Sequence, residues 1–255
     1  MDQTLFHQVC DKVIGMEQGL MGIGTLREKT VHSVLKHYYE SNEENHEVKI
    51  DGFVADICNG DEIIEVQTRS FDRLRKKLPV FLKHYPVTIV YPVPFIKWIQ
   101  WVNPTTGEIT APRKSPKKGR PYDIFPELYK IKNLLTMPNL RIKIVMMNVE
   151  EYRFLNGWSE DKKKGSTRCD RIPIELIDEV YISGPEDYSL LLPESLGDNF
   201  TSKDYKKASG LSKKAAGTAV HILNYVGTIK KIGKKGRAYL YTRKDNNISK
   251  EGDQS

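Results

Sequence analysis

Apolar positions along this chain recur with two periods, and the switches between them outline its elements. In GIGTLREKTVHSVLKHYYE, Val31, Val34, Leu35 and Tyr38 fall at helical spacing. HEVKI (46–50) and FVADIC (53–58) are short β-branched runs split by Asp51-Gly52, a hairpin signal. Asn59-Gly60 reads as a second two-residue turn, followed by EIIEVQT (62–68). SFDRLRKKLPVFLKHY then predicts a helix with Ser70 as N-cap and Phe71, Leu74, Leu78, Phe81 and Leu82 on one face. Pro79 is expected to kink it or split it in two. VTIVYPV (87–93) is a continuous apolar run, as in a strand buried on both faces. The order α-β-β-β-α-β predicts an α/β fold with a mixed sheet. Its last strand should return parallel to 62–68 through a right-handed crossover.

Further along, KWIQWVNPTTGEI reads as a hairpin, YDIFPELYKIKNLL as a helix and LRIKIVMMNV as a strand. SEDKKKGSTR (159–168) is a polar loop, and the domain boundary is expected in or just after it, giving units 1–165 and 170–245. In IPIELIDEVYI (172–182), Ile172, Leu176, Ile177 and Val180 are spaced as in a helix, with Pro173 near its first turn. TSKDYKKASG predicts a short helix capped by Thr201 or Ser202 and ended by Gly210. KKAAGTAVHILNYVG predicts a second helix with Ala216, Ala219, Val220, Leu223 and Val226 on its inner face. Lys214, Gly217, Thr218, His221 and Tyr225 then lie on the opposite face. TIKKIGKKGRAYLYT is a strand, a tight turn and a strand. Residues 246–255 form a polar tail expected to be disordered.

Charge sharpens this division. The 255-residue chain carries +7, but from Phe200 onward 13 Lys and Arg oppose 4 Asp and Glu, a net +9. The remainder is left at −2. A basic module on a near-neutral body points to a nucleic-acid partner. The composition, 39% hydrophobic and 29% charged, is that of a globular chain. Its longest apolar run, VTIVYPVPFI, is too short and too Pro-broken to span a bilayer, so no membrane partner is expected. MDQTLFHQVCDKV has an acid and no apolar h-region, so a signal peptide is not expected and a cytoplasmic setting is. Cys10, Cys58 and Cys169 are isolated, which argues against a zinc ribbon or a disulfide framework.

The C-terminal order of helix, turn, helix and basic hairpin resembles the winged helix-turn-helix family over 200–243. That resemblance implies DNA contacts from Lys213, Lys214, Thr218 and His221 on the second helix, and from Lys234, Lys235 and Arg237 at the wing tip. RKSPKKGR (113–120) is by default a solvated loop. As a basic arm near a site, its Arg113, Lys114, Lys117 and Lys118 would also clamp phosphates.

The sharpest chemistry lies in GFVADICNGDEIIEVQT (52–68). With a two-residue turn at Asn59-Gly60, Asp56 pairs with Ile63, Val54 with Glu65 and Gly52 with Gln67. Paired residues share a face, so Asp56, Glu65 and Gln67 fall together, the two acids as diagonal neighbours. Carboxylates this close repel unless a cation lies between them or one is protonated. All-oxygen ligation suits Mg²⁺ or Mn²⁺. Asp on the second strand and Glu-Val-Gln on the third, within α-β-β-β-α-β, resemble the PD-(D/E)XK nuclease superfamily over about 24–95. Many restriction enzymes and Holliday-junction resolvases share that core. The resemblance implies metal ligation by Asp56, Glu65 and the Val66 carbonyl, with Glu28 of LREKT as a further ligand. It implies metal-dependent cleavage of DNA, duplex or branched, with RNA also open, and a homodimer where both strands are cut. Gln67 stands where the family usually has Lys. Arg69, Lys76 and Lys49 are candidate replacement charges. The other reading is a nuclease-like fold without activity, serving as a DNA-binding regulator or scaffold.

Overall fold

The computed structural model describes residues 1–20, 30–158 and 164–244. Its N-terminal part runs α1 (Gln3–Leu20), α2 (Thr30–Tyr39), β1 (His46–Ile50), β2 (Phe53–Cys58), β3 (Ile63–Val66), α3 (Leu74–Phe81) and β4 (Val87–Val102). The expected α-β-β-β-α-β order is present from α2 to β4. After it come β5 (Arg113–Lys114), short helical turns over 121–134 that include α4 (Phe125–Leu128), β6 (Leu140–Trp158) and β7 (Lys164–Ile182). The strands form one mixed sheet in the order β1-β2-β3-β4-β6-β7, with β5 against β4. β3 pairs parallel with β4, as the crossover through α3 requires, and β4 pairs parallel with β6.

Two buried clusters sandwich the sheet. On one face, Phe6, Val9, Val34 and Leu35 of α1 and α2 pack on Ile57, Ile64, Val66, Val145 and Met147. On the other, Phe71, Leu74, Leu78 and Phe81 pack on Ala55, Ile63, Ile89 and Ile144, and this core continues through Phe125 and Leu128 into the C-terminal region. Helices on both faces explain why β4 opens as an unbroken apolar run.

The C-terminal region holds β8 (Asn199–Phe200), α5 (Ser202–Ser209), α6 (Lys213–Tyr225), β9 (Ile229–Lys235) and β10 (Ala238–Arg243), with a three-stranded sheet ordered β8-β10-β9. Thr201 caps α5 in a box with Asp204, and Gly210 ends it in the left-handed conformation, φ 68°. Ala216, Ala219, Val220 and Leu223 are buried, as the periodicity predicts. Tyr205 anchors the region: its hydroxyl donates to the Leu191 carbonyl at 2.7 Å, and its ring lies 6.2 Å from Phe125.

Several expectations are corrected. Residues 172–182 are not a helix but the end of β7, paired antiparallel with β6. The segment fits both periods, because 172, 174, 176, 180 and 182 are also apolar at spacing two, and pairing with a long neighbour decides. Pro173 is accommodated opposite Val149, where the register shifts. The main sheet therefore runs past the boundary expected at 165–170 and ends at Ile182. Ser70 holds the N-cap position of the 71–73 turn that leads into α3, but its backbone is left-handed, φ 62°, and its side chain makes no cap bond. Pro79 does not split α3, which ends two residues later at Phe81. Residues 121–134 form short turns rather than one helix, broken at Ile131 by a non-helical backbone. The β2–β3 pairs are Cys58↔Ile63 and Ile57↔Ile64, so the loop is 59–62 and not Asn59-Gly60. The Asn59 side chain causes this by accepting from the Asp61 and Glu62 N–H groups, each at 3.1 Å. The expected tail, 246–255, lies outside the described residues.

Candidate functional site

The corrected register improves on the expected one for the two acids. The β2–β3 ladder ends at Ile57↔Ile64, and Asp56 and Glu65 are the next residue on each strand rather than two apart along the diagonal. Beyond that point side chains take the backbone donors. The Asp56 N–H donates to Glu65 Oε1 at 3.4 Å, and the Val66 N–H donates to Asp56 Oδ2 at 2.8 Å. Backbone pairing of β2 and β3 ends there, and the two carboxylates take the donors beyond it.

Glu65 is wholly buried on the face that α3 covers, and Lys77 Nζ of α3 forms an ion pair with its Oε2. Nζ also lies 3.4 Å from the Val54 carbonyl and 5.8 Å from the Phe81 ring. Asp56 Oδ2 is 3.2 Å from His32 Nε2 of α2. The site thus joins Asp56, Glu65, Lys77 and His32 from four elements.

The two acids differ electrostatically. Burial, and then the Asp56 charge, raise the Glu65 pKa, and the Lys77 ammonium opposes this only in part. Burial would raise Asp56 too, but the His32 hydrogen bond and charge, Lys77 and the Val66 N–H outweigh it and lower its pKa. One carboxylate favours the proton and the other rejects it.

Among the described residues no three His, Cys, Asp or Glu side chains form a ready cluster for a metal ion. The acids nevertheless suit a hard divalent cation with few protein ligands. They are two neighbouring carboxylates under mutual repulsion, and among the described residues Asp56 Oδ1 accepts no hydrogen bond. Glu28 lies outside the described residues. Gln67 follows β3, its N–H donating to the Val90 carbonyl at 2.9 Å, while its side-chain amide donates to the Arg69 carbonyl. Gln67 therefore turns toward its own loop. Of the expected substitute cations, Lys49, Arg69 and Lys76 are all exposed, and it is Lys77 that meets Glu65.

Sequence reasoning missed Lys77, although a signal was present. Leu74, Lys77, Leu78 and Phe81 stand at i, i+3, i+4 and i+7, so Lys77 lies on the inward stripe itself. A charged residue on an apolar stripe asks for a partner. His32 gave no such signal, because its neighbours on α2 are mixed.

The other expected residues lie on the surface. Lys213 and Lys214 are exposed at the start of α6, and Thr218 donates to the Lys214 carbonyl at 3.1 Å. The His221 ring is 5.7 Å from that of Tyr129, and Lys132 Nζ is 4.8 Å from the Tyr225 ring, so this edge of α6 adjoins the 129–134 turns. Lys234, Lys235 and Arg237 are exposed around the β9–β10 turn, where Gly236 has φ 64°. Lys234 Nζ lies 5.6 Å from the Tyr239 ring. Arg113 and Lys114 pair with Ile99 and Trp98, and Lys117 and Lys118 are exposed beyond them. Among the described residues no helix is long and apolar enough to cross a membrane.

Residues 29–183 match the family described as Domain of unknown function (DUF8091), and the chain belongs to that family. The match stops one residue after β7, which agrees with a main sheet complete at Ile182. A protein of Treponema pallidum (strain Nichols), described as uncharacterized, is 34% identical over 149 residues, 58% of this chain. The chain spans 57% of that relative's length. No solved structure matches.

Proposed function

We propose that this chain is a metal-dependent nuclease of the PD-(D/E)XK kind, held on DNA by a C-terminal winged helix. The observation that carries the reading is the meeting of Asp56 and Glu65 where the pairing of β2 and β3 ends, with the Lys77 ammonium on Glu65. Asp56 and Glu65, with the Val66 carbonyl, are the groups that would hold Mg²⁺ or Mn²⁺. What such an ion supplies is a more acidic bound water and neutralised charge on the scissile phosphate.

The chain's own residues supply the rest. Lys77 provides the positive charge that the family usually takes from the position of Gln67, and it stabilises charge that builds on the phosphate. His32 holds Asp56 in place and keeps it ionised. The alternative, a nuclease-like DNA-binding protein without activity, rests on Gln67. Lys77 weighs against it, because the missing charge arrives from α3.

Support for the winged helix comes from α5, α6 and the β9–β10 hairpin, with Lys213 and Lys214 opening α6 and Lys234, Lys235 and Arg237 at the hairpin tip. Such a module contributes phosphate contacts and sets orientation on the duplex. Cleavage of both strands would favour a homodimer.

The test is nicking of supercoiled plasmid with Mg²⁺ or Mn²⁺, comparing wild type with Asp56→Ala and Glu65→Ala. Metal-dependent nicking lost in both variants supports the proposal. Absence of metal-dependent cleavage by wild type on duplex, branched and single-stranded DNA and on RNA rejects it.

A further inference from the structure

β4, β6 and β7 continue beyond the packed core, and their extensions carry a second charged group. Glu151 is 1% exposed, and three cations converge on it. Arg171 Nε donates to Oε2 at 2.8 Å, Arg153 Nε donates to Oε1 at 2.7 Å, and Lys97 Nζ lies 3.7 Å from Oε2. Among the described residues Glu151 is the one acid within ion-pair distance of any of the three. One buried carboxylate therefore pairs with three cations.

The cationic heads are not sealed in. Side-chain exposure is 18% for Lys97, 30% for Arg153 and 22% for Arg171. Each guanidinium has five N–H groups, and Glu151 uses only some of them. Strand register adds a further charge, since Glu151 lies opposite Ile99, and Ile99 lies opposite Arg113 of β5. The Arg153 guanidinium is also held 5.8 Å from the Trp101 ring. Burial first, and then the nearby Arg171, Arg153 and Lys117 charges, lower the Lys97 pKa against the Glu151 carboxylate that raises it.

Arg171 lines a water-sized cavity with Thr68, Pro92 and Pro94, and the buried Asp170 lies in the same wall.

We infer that Lys97, Arg153 and Arg171, fixed in place by Glu151, form a binding site for the phosphodiester backbone of a nucleic acid. The inference rests on the proposed nuclease function for its choice of a nucleic acid as ligand. The cations are few in number but preorganised, so a phosphate completes their charge without ordering long side chains first.

The full chain is titrated onto a fluorescent DNA duplex in EDTA, and anisotropy is read across a salt series. Arg171→Gln and Lys97→Gln are each expected to weaken binding several-fold and to reduce the log–log salt slope by about 0.9. Arg171→Lys, which keeps the charge, should retain the slope. Lys97 is the longest of the three contacts, so Lys97→Gln decides the matter if Arg171→Gln melts early. Unchanged slopes in both neutral variants with wild-type melting overturn the inference. Competition by millimolar inorganic phosphate at constant ionic strength also overturns it, in favour of a free-phosphate site. Because binding is read without metal, a chain that never cuts but shows the slope changes keeps this site and loses only the nuclease reading.

Discussion

Replacing Glu65 by Gln isolates the electrostatic burden of the acidic pair. Glu65 has no exposed surface and faces Asp56, and burial followed by that charge raise its pKa from 4.5 to about 8. A carboxyl raised in the folded state stabilises the fold while protonated. Its contribution is fully present below about 4.5 and is lost as pH rises toward about 8. Through that window one extra proton on the folded chain is worth about 1.4 kcal/mol per pH unit. For a chain of this size that is about 3–6 °C in Tm per unit. Gln keeps the shape, still accepts from the Asp56 N–H and carries no titrating proton. Between pH 5 and 8 in EDTA, wild type should therefore lose Tm more steeply than Glu65→Gln by about this amount. Added Mg²⁺ should flatten the wild-type curve and leave that of Glu65→Gln nearly unmoved. Scanning calorimetry or dye-based melting at pH steps reads both effects. Parallel Tm–pH curves for the two proteins would show that Glu65 is ionised in the fold, and the account of the pair would be wrong.

Lys77→Met should lower the metal-dependent nicking rate by about 10²-fold or more while DNA binding and melting persist, whereas Lys76→Met should cut at the wild-type rate. Lys234→Gln/Lys235→Gln should reduce the salt slope of duplex binding by about 1.8, and an unchanged slope removes the wing from the DNA contact. Phe125→Ala deletes a fully buried ring between the main sheet and Tyr205, and urea unfolding should show a loss of about 3–5 kcal/mol.

What could be read from the chain followed from how local the deciding force was. Asp51-Gly52 set the β1–β2 hairpin, because both residues take positive φ, 45° and 82°, in a two-residue turn. Asn59-Gly60 offered the same two letters, yet the loop has four residues because the Asn59 side chain captures two later N–H groups. That capture moved every pair from the expected partner by two positions. The two acids still meet, because the Asp56 N–H reaches Glu65 Oε1 and the Val66 N–H reaches Asp56 Oδ2. The misreading of 172–182 has a different origin. Its apolar residues satisfy both periods, and the partner that selects strand is β6, about thirty residues earlier in the chain. Burial of the α6 inner face was legible because one period alone fits it.

The site joins these points, because its acids are part of the fold that presents them. The β2–β3 ladder stops at Ile57↔Ile64, and the next two amide donors are taken by Glu65 and Asp56. Removing either acid should therefore cost stability as well as any chemistry, and amide variants are the cleaner probes. The same geometry explains where the cation comes from. Gln67 stands past the end of β3, with its N–H on β4 and its amide on the Arg69 carbonyl. Parallel β3 and β4 need a crossover, and α3 is that crossover, packed on the face that buries Glu65. A lysine on its inward stripe meets Glu65 because the connection has to pass there. The charge absent from the strand is thus supplied by the topology that follows it.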